Sequence, residues 1–261
     1  MSAVGRLIVV GCGIQMARHI SRRALSEIEA ADAVFALADP LALRSLRDLR
    51  PDLINLAGCY ADTKDRRQSY CEMETAIMQP VRAGLRVCAV FYGHPGVYAQ
   101  VSHRVIEATR QAGGVARMEP GISAEACLYA DLGIDPGASG VHSFEATRFL
   151  VYEHSIDPSA LLLLWQVALT GNLECTGFEP DPVRLALLVD KLRRWYHSDT
   201  EIILYEAAQL PIEAVRAENM PLRDLPQARF REHTTLVIPP TAAPRHDRIF
   251  WPRAARLAGL S

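Results

Sequence analysis

The chain alternates short, uniformly apolar runs with longer amphipathic stretches. Val87–Phe91 is apolar at every position, and Leu161–Leu169 at every position except Gln166. A run without polar alternation marks a strand buried on both faces. Arg6–Gln15 reads as another such strand, closed by a Gly-rich turn. Ala33–Ala38, Asp52–Leu56, Val115–Met118, Glu201–Tyr205 and Thr234–Pro240 read as further strands, with His142–Glu145 as an edge. Helical spacing falls between them. His19–Ala31 carries Ile20, Ala24, Ile28 and Ala31 on one face, and Pro182–Trp195 turns Leu185, Leu188, Val189 and Leu192 inward. Helices are also expected at Pro40–Leu49, up to about Arg82 before Gly84, from about Val97 to Gln111 before Gly113-Gly114, and after Ser123 as N-cap. Met220–Leu225 resembles the start of a short helix. This pattern predicts an α/β fold. The Pro120-Gly121 turn is the expected boundary: residues 1–119 and 120–240 form two packed domains with a cleft between them, followed by a tail, 241–261.

Composition narrows the classes. The 261 residues carry a net charge of −2, so no basic excess points to nucleic acid. The six cysteines show no C-x-x-C spacing, which argues against a zinc knuckle or a thioredoxin-like site, and most sit in apolar surroundings that suggest buried thiols. No metal is expected. The longest apolar run, Leu161–Leu169, is far below the ~20 residues a bilayer-spanning helix needs. A reduced, cytoplasmic protein without membrane contact is the expectation.

Four stretches carry candidate chemistry. Val87–Ala99 passes from a buried strand through Gly93-His94-Pro95-Gly96 towards a helix, and such carboxyl-end loops bind ligands in open α/β sheets. Gly11 and Gly13 do not complete a dinucleotide fingerprint, because Met16 stands where its third glycine belongs; a tight strand-to-helix turn explains them. Arg66 and Tyr70 lie four apart, on one face of a helix start, with Tyr60 just upstream. A solvated, charged helix face is the plain alternative. Gln166 is the lone polar residue of its strand and needs a partner, from the backbone or from a ligand. The tail carries Arg245, Arg248, Arg253 and Arg256 among Ile249, Phe250, Trp251 and Leu257. It reads as a helix packed on the domain or, more sharply, as a contact for a partner.

Taken together, Tyr60…Arg66…Tyr70, Phe91–Val97, Glu119–Glu125 and Leu164–Gln166 closely resemble the borosin peptide α-N-methyltransferases of the tetrapyrrole-methylase superfamily. The resemblance runs from about Leu7 to Pro240. It implies a two-domain α/β fold with S-adenosylmethionine in the interdomain cleft, a homodimer, and methylation of backbone amides in a ribosomally made precursor peptide. The sequence ends about twenty residues after Pro240, which suits the branch whose precursor is a separate chain. By the resemblance, Tyr92, His94, Val97, Ser123, Ala124, Gln166, Ala207, Thr234 and Thr235 hold the cofactor, which leaves as S-adenosylhomocysteine. Tyr60, Arg66, Tyr70 and Tyr92 form the catalytic cluster. Ala57 departs from the fused members, which carry an additional tyrosine there.

An amide nitrogen must lose its proton to attack a methyl sulfonium, because its lone pair is delocalised into the carbonyl. A guanidinium beside a phenol favours the phenolate. Tyr70 is therefore the expected base with Arg66 as its electrostatic partner, and Tyr60 or Tyr92 the donor to the carbonyl oxygen. Two other readings stay open: a superfamily methyltransferase acting on a tetrapyrrole or other small molecule, and a catalytically silent scaffold binding the cofactor or a peptide.

Overall fold

The computed structural model describes residues 4–61 and 63–260. Five parallel strands form the first sheet in the order β3-β2-β4-β1-β5. They are β1 (Arg6–Gly11), β2 (Ala33–Leu37), β3 (Ile54–Asn55), β4 (Arg86–Phe91) and β5 (Val115–Glu119). The apolar runs sit at its centre, where β1 pairs β4 and β5 in parallel register. Successive side chains of β1 point to opposite faces. Leu7 and Val9 pack under α4 (Arg66–Arg82) and α5 (Gln100–Gln111), against Met73, Ile77 and Val105. Ile8 and Val10 pack under α2 (Arg22–Glu29) and α3 (Pro40–Leu49), against Ala24, Ile28 and Leu46. Both faces are covered, which is why this strand shows no polar alternation.

The second sheet is mixed, in the order β6-β7-β10-β8-β9. Its strands are β6 (Val141–Glu145), β7 (Leu161–Trp165), β8 (Glu201–Glu206), β9 (Arg216–Pro221) and β10 (Thr235–Ile238). Leu162 and Leu164 face Leu185, Leu188 and Leu192 of α9 (Pro182–Leu192). Leu161, Leu163 and Trp165 face Leu128 of α6 (Ala124–Leu132). The remaining helices are α1 (Met16–His19), α7 (Pro136–Ser139), α8 (Ala146–Val151) and α10 (Phe250–Leu257). The first sheet draws only on residues up to Glu119 and the second only on residues from Val141.

Several expectations need correction. The single helix over His19–Ala31 is two, because Ile20 is extended and Ser21 starts α2 by accepting a hydrogen bond from the Ala24 amide. Asp52–Leu56 shrinks to the two residues of β3, after which Leu56–Cys59 forms a 3₁₀ turn. The helix expected from Val97 begins at Gln100, since Tyr98 is left-handed at φ 51°. β7 stops at Trp165, and Gln166 is no buried strand residue: it is left-handed, φ 55°, and exposed. Met220 belongs to β9, and the helical turn starts only at Leu222. The tail helix is not packed on the domain: Phe250, Trp251 and Leu257 are all exposed. Of the thiols, Cys12 and Cys88 are buried and Cys71 is exposed.

Candidate functional site

A cleft of about 1520 Å³ runs between the two sheets. Its floor is set by three backbone segments that meet through glycines. The end of β1, the loop after β4 and the turn after β5 converge so closely that a Cβ on Gly11 would lie 2.3 Å from the Gly93 carbonyl oxygen and 2.9 Å from the Gly121 Cα. Gly13 and Gly93 exchange both of their backbone hydrogen bonds, at 3.1 and 3.0 Å. Gly93 itself is left-handed, φ 64°, a conformation glycine adopts without steric cost. This contact aims Tyr92, His94 and Val97 into the cleft. The His94 Nδ1 accepts from the Gly96 amide at 2.9 Å, which leaves its Nε2 as the proton-bearing nitrogen.

The opposite wall comes from the second sheet and α6. The Ser123 hydroxyl caps α6 by accepting from the Ala126 amide at 3.1 Å, and Ser123, Ala124 and Glu125 line the cleft. Gln166, Ala207 and Thr235 line it too. The Gln166 side chain makes no hydrogen bond within the protein among the described residues, so its amide is available to a ligand. Thr234 is the exception. It is fully buried, donates to Glu206 at 2.6 Å and accepts from the Arg231 amide, and does not line the cleft. Alternation in β10 sends Thr235 to the cleft and its predecessor away from it.

Tyr60, Arg66 and Tyr70 also line the cleft. Tyr60 follows the 3₁₀ turn, which the Asn55 side chain holds by accepting from the Ala57 amide at 2.9 Å. Asp65 caps α4 through the Arg67 amide, which puts Arg66 on the first helical turn and Tyr70 one turn later. The Tyr60 ring stands edge-on to Tyr70, 6.3 Å between centroids, and edge-on to Phe178, at 6.2 Å. The Arg66 guanidinium lies 5.2 Å above the Phe178 ring and donates to the Gly177 carbonyl oxygen at 2.6 Å. Phe178 comes from an irregular segment before α9, where neither periodicity nor motif marks a functional residue.

Burial decides the protonation of two of these phenols. It pushes Tyr60 well up from the ordinary range, with the neighbouring Tyr70 adding to the effect and Arg66 opposing it. Burial likewise pushes Tyr92 up to about 12, against a hydrogen bond with Gln209. Both therefore keep their protons at neutral pH and are available as donors.

The same burial has a consequence for stability. Cys12 and Cys88 are also pushed up to about 12 by burial. These are neutral groups whose folded pKa values exceed their unfolded ones. Their contribution is complete below the unfolded pKa, about 8.5 for a thiol and about 10 for a phenol, and is lost as pH rises towards the folded value. The urea midpoint should hold steady from about pH 7 to 8 and fall above about pH 9. A midpoint unchanged up to about pH 11 would contradict this burial.

No helix among the described residues is long and apolar enough to cross a membrane, and no group of three or more potential metal ligands occurs among them.

The chain is 36% identical over 241 residues to a methyltransferase/ribosomally synthesized cyclic peptide gymnopeptides precursor of Gymnopus fusipes, covering 90% of this chain and 57% of that protein. It is 37% identical over 249 residues to a methyltransferase/ribosomally synthesized type I borosin cyclic peptide precursor of Coprinopsis marcescibilis, covering 91% of this chain and 63% of that protein. The chain thus spans about three fifths of the length of these relatives. Uroporphyrin-III-C-methyltransferase from Thermus thermophilus shares the fold, with a TM-score of 0.62 at 20% identity, covering 91% of this chain and 93% of that one. The tetrapyrrole (corrin/porphyrin) methylase family matches residues 6–224. The chain belongs to that family of methyltransferases, whose methyl donor is S-adenosylmethionine.

Proposed function

We propose that this chain methylates backbone amide nitrogens of a peptide carried on a separate chain. The observation that carries the reading is the Tyr60–Arg66–Tyr70 cluster in the wall of a cleft larger than a single cofactor needs. Ordinary small-molecule sites occupy roughly 300–1,000 Å³. The 1520 Å³ here leaves room for an extended chain beside the cofactor. No described residue beyond Thr235 lines the cleft.

The cofactor fits the residues present. Ile14, Leu37, Ala124 and Ala207 give an apolar slot, with Gln166, Gln209 and Thr235 as its polar groups. Tyr92, His94, Val97, Ser123, Ala124, Gln166, Ala207 and Thr235 would hold it, and Thr234 drops out of that set. When bound, S-adenosylmethionine supplies an electrophilic methyl group and leaves as S-adenosylhomocysteine. Tyr70 Oη, reacting as the phenolate, takes the amide proton and becomes a neutral phenol, and the negative charge passes to the amide. The Arg66 guanidinium, held against the Phe178 ring and the Gly177 carbonyl one helical turn before Tyr70, favours the anionic form of the base and of the amide in turn. Tyr60 and Tyr92, still protonated, donate to the substrate carbonyl oxygen as charge develops there.

Arg66→Ala should therefore slow methyl transfer and move the pH–rate profile alkaline, while Arg66→Lys recovers part of the rate. An unmoved profile would remove Arg66 from this role. The reading as a whole is tested by transfer of label from methyl-labelled S-adenosylmethionine to a peptide fraction; label recovered only in a small-molecule fraction would point to the tetrapyrrole-type alternative.

A homodimer belongs to the same proposal. Its support is α10, where Phe250, Trp251 and Leu257 stand exposed on a short helix without packing on its own domain. Sedimentation should give twice the chain mass; a monomer at micromolar concentration would oppose it.

A further inference from the structure

Tyr98 has no part in the mechanism above, yet its geometry is demanding. It follows the His94–Val97 loop with φ 51°, a conformation a bulky aromatic residue holds only when its surroundings impose it. Its ring reaches across the cleft to the second sheet. There it lies 5.9 Å from the Trp165 ring at a 40° tilt, with its hydroxyl 3.5 Å from the Ser143 Oγ. The Trp165 platform is itself fixed. Its indole N–H donates to the Ser143 Oγ at 2.8 Å, Ser143 donates to Glu125, and the Tyr129 hydroxyl donates to the same carboxylate at 2.6 Å. Tyr98 remains 46% exposed, and Tyr98, Ser143 and Trp165 all line the cleft. Each aromatic is next in sequence to an expected cofactor contact, Val97 on one side and Gln166 on the other. The pair therefore lies beside the expected cofactor contacts and offers apolar ring faces, with the Glu125 carboxylate engaged behind it by Ser143 and Tyr129.

We propose that Tyr98 and Trp165, whose rings already meet across the cleft, form an aromatic clamp whose exposed faces pack an apolar side chain of the substrate peptide and so set which backbone amide is methylated. This rests on the peptide reading above. Tyr98 acts here as a specificity-determining residue, and the ring rather than the hydroxyl carries the grip.

The test uses the full chain, S-adenosylmethionine and a pool of synthetic peptides differing at one central position among Gly, Ala, Val, Leu and Phe. Tyr98→Phe should keep the preference and the peptide KM. Tyr98→Ala should raise the peptide KM about tenfold or more, leave cofactor affinity within about twofold, and spread methyl groups over neighbouring amides. Tyr98→Gly relieves the left-handed backbone, so it should melt higher than Tyr98→Ala yet share its raised KM. If Tyr98→Ala kept the wild-type KM and methyl positions, the clamp would be overturned while the peptide reading stood. If the wild-type chain bound S-adenosylmethionine but neither bound nor methylated any peptide of the pool, both would fall.

Discussion

Tyr70→Phe should lower the single-turnover rate of methyl transfer by about 10²- to 10⁴-fold, with cofactor binding intact. The substitution removes one oxygen and keeps the ring that Tyr60 meets edge-on. Packing should therefore survive, and the melting temperature should stay within about 2 °C of wild type. The size of the effect follows from the nucleophile. An amide nitrogen that keeps its proton has its lone pair in the carbonyl π-system, so alignment alone does little for it. Tyr60 and Tyr92 cannot replace the lost base, since burial holds both in the protonated form. Retention of most of the single-turnover rate by Tyr70→Phe would move the base elsewhere in the cleft.

Gly11→Ala should damage the fold and the cofactor side of the cleft together. The added Cβ would sit 2.3 Å from the Gly93 carbonyl oxygen, 2.7 Å from the Pro95 Cδ and 2.9 Å from the Gly121 Cα. Two of these three are backbone atoms in other segments, so a rotamer change cannot relieve the overlap. A cost of about 3 kcal/mol is expected, at the upper end for overpacking, and hence a melting temperature lower by about 10 °C. Because the displaced loop carries Tyr92, His94 and Val97, cofactor affinity should fall about tenfold or more with it. Gly58→Ala is the control, as nothing lies within 4 Å of a Cβ there. Equal behaviour of the two variants would mean that the glycine contact does not hold the loop.

How legible each element is in the sequence follows from how it is stabilised. β1, β4 and β7 are buried on both faces, so their apolar runs survive as a direct record of burial. The start of α4 and the cap of α6 are written in Asp65 and Ser123, whose side chains make the bonds their positions suggest. β9 leaves no such mark, because Arg216–Pro221 is an edge strand with three exposed residues in its middle and no apolar alternation. Gln166 reads as part of β7 because Val167–Leu169 continues the apolar run; its left-handed φ depends on tertiary contacts that composition does not record. Thr234 and Thr235 look alike in sequence, and only the register of β10 separates them. Phe178 and Tyr98 act across the cleft between the sheets, and local pattern holds no trace of such pairings.

The most direct test of the central claim is fragmentation mass spectrometry of a candidate precursor peptide produced with and without this chain and S-adenosylmethionine. The expected result is a ladder of single-methyl increments on the peptide, each localised to a backbone nitrogen and absent with Tyr70→Phe. An unmodified peptide from a cofactor-saturated chain, or increments confined to side chains, would contradict it.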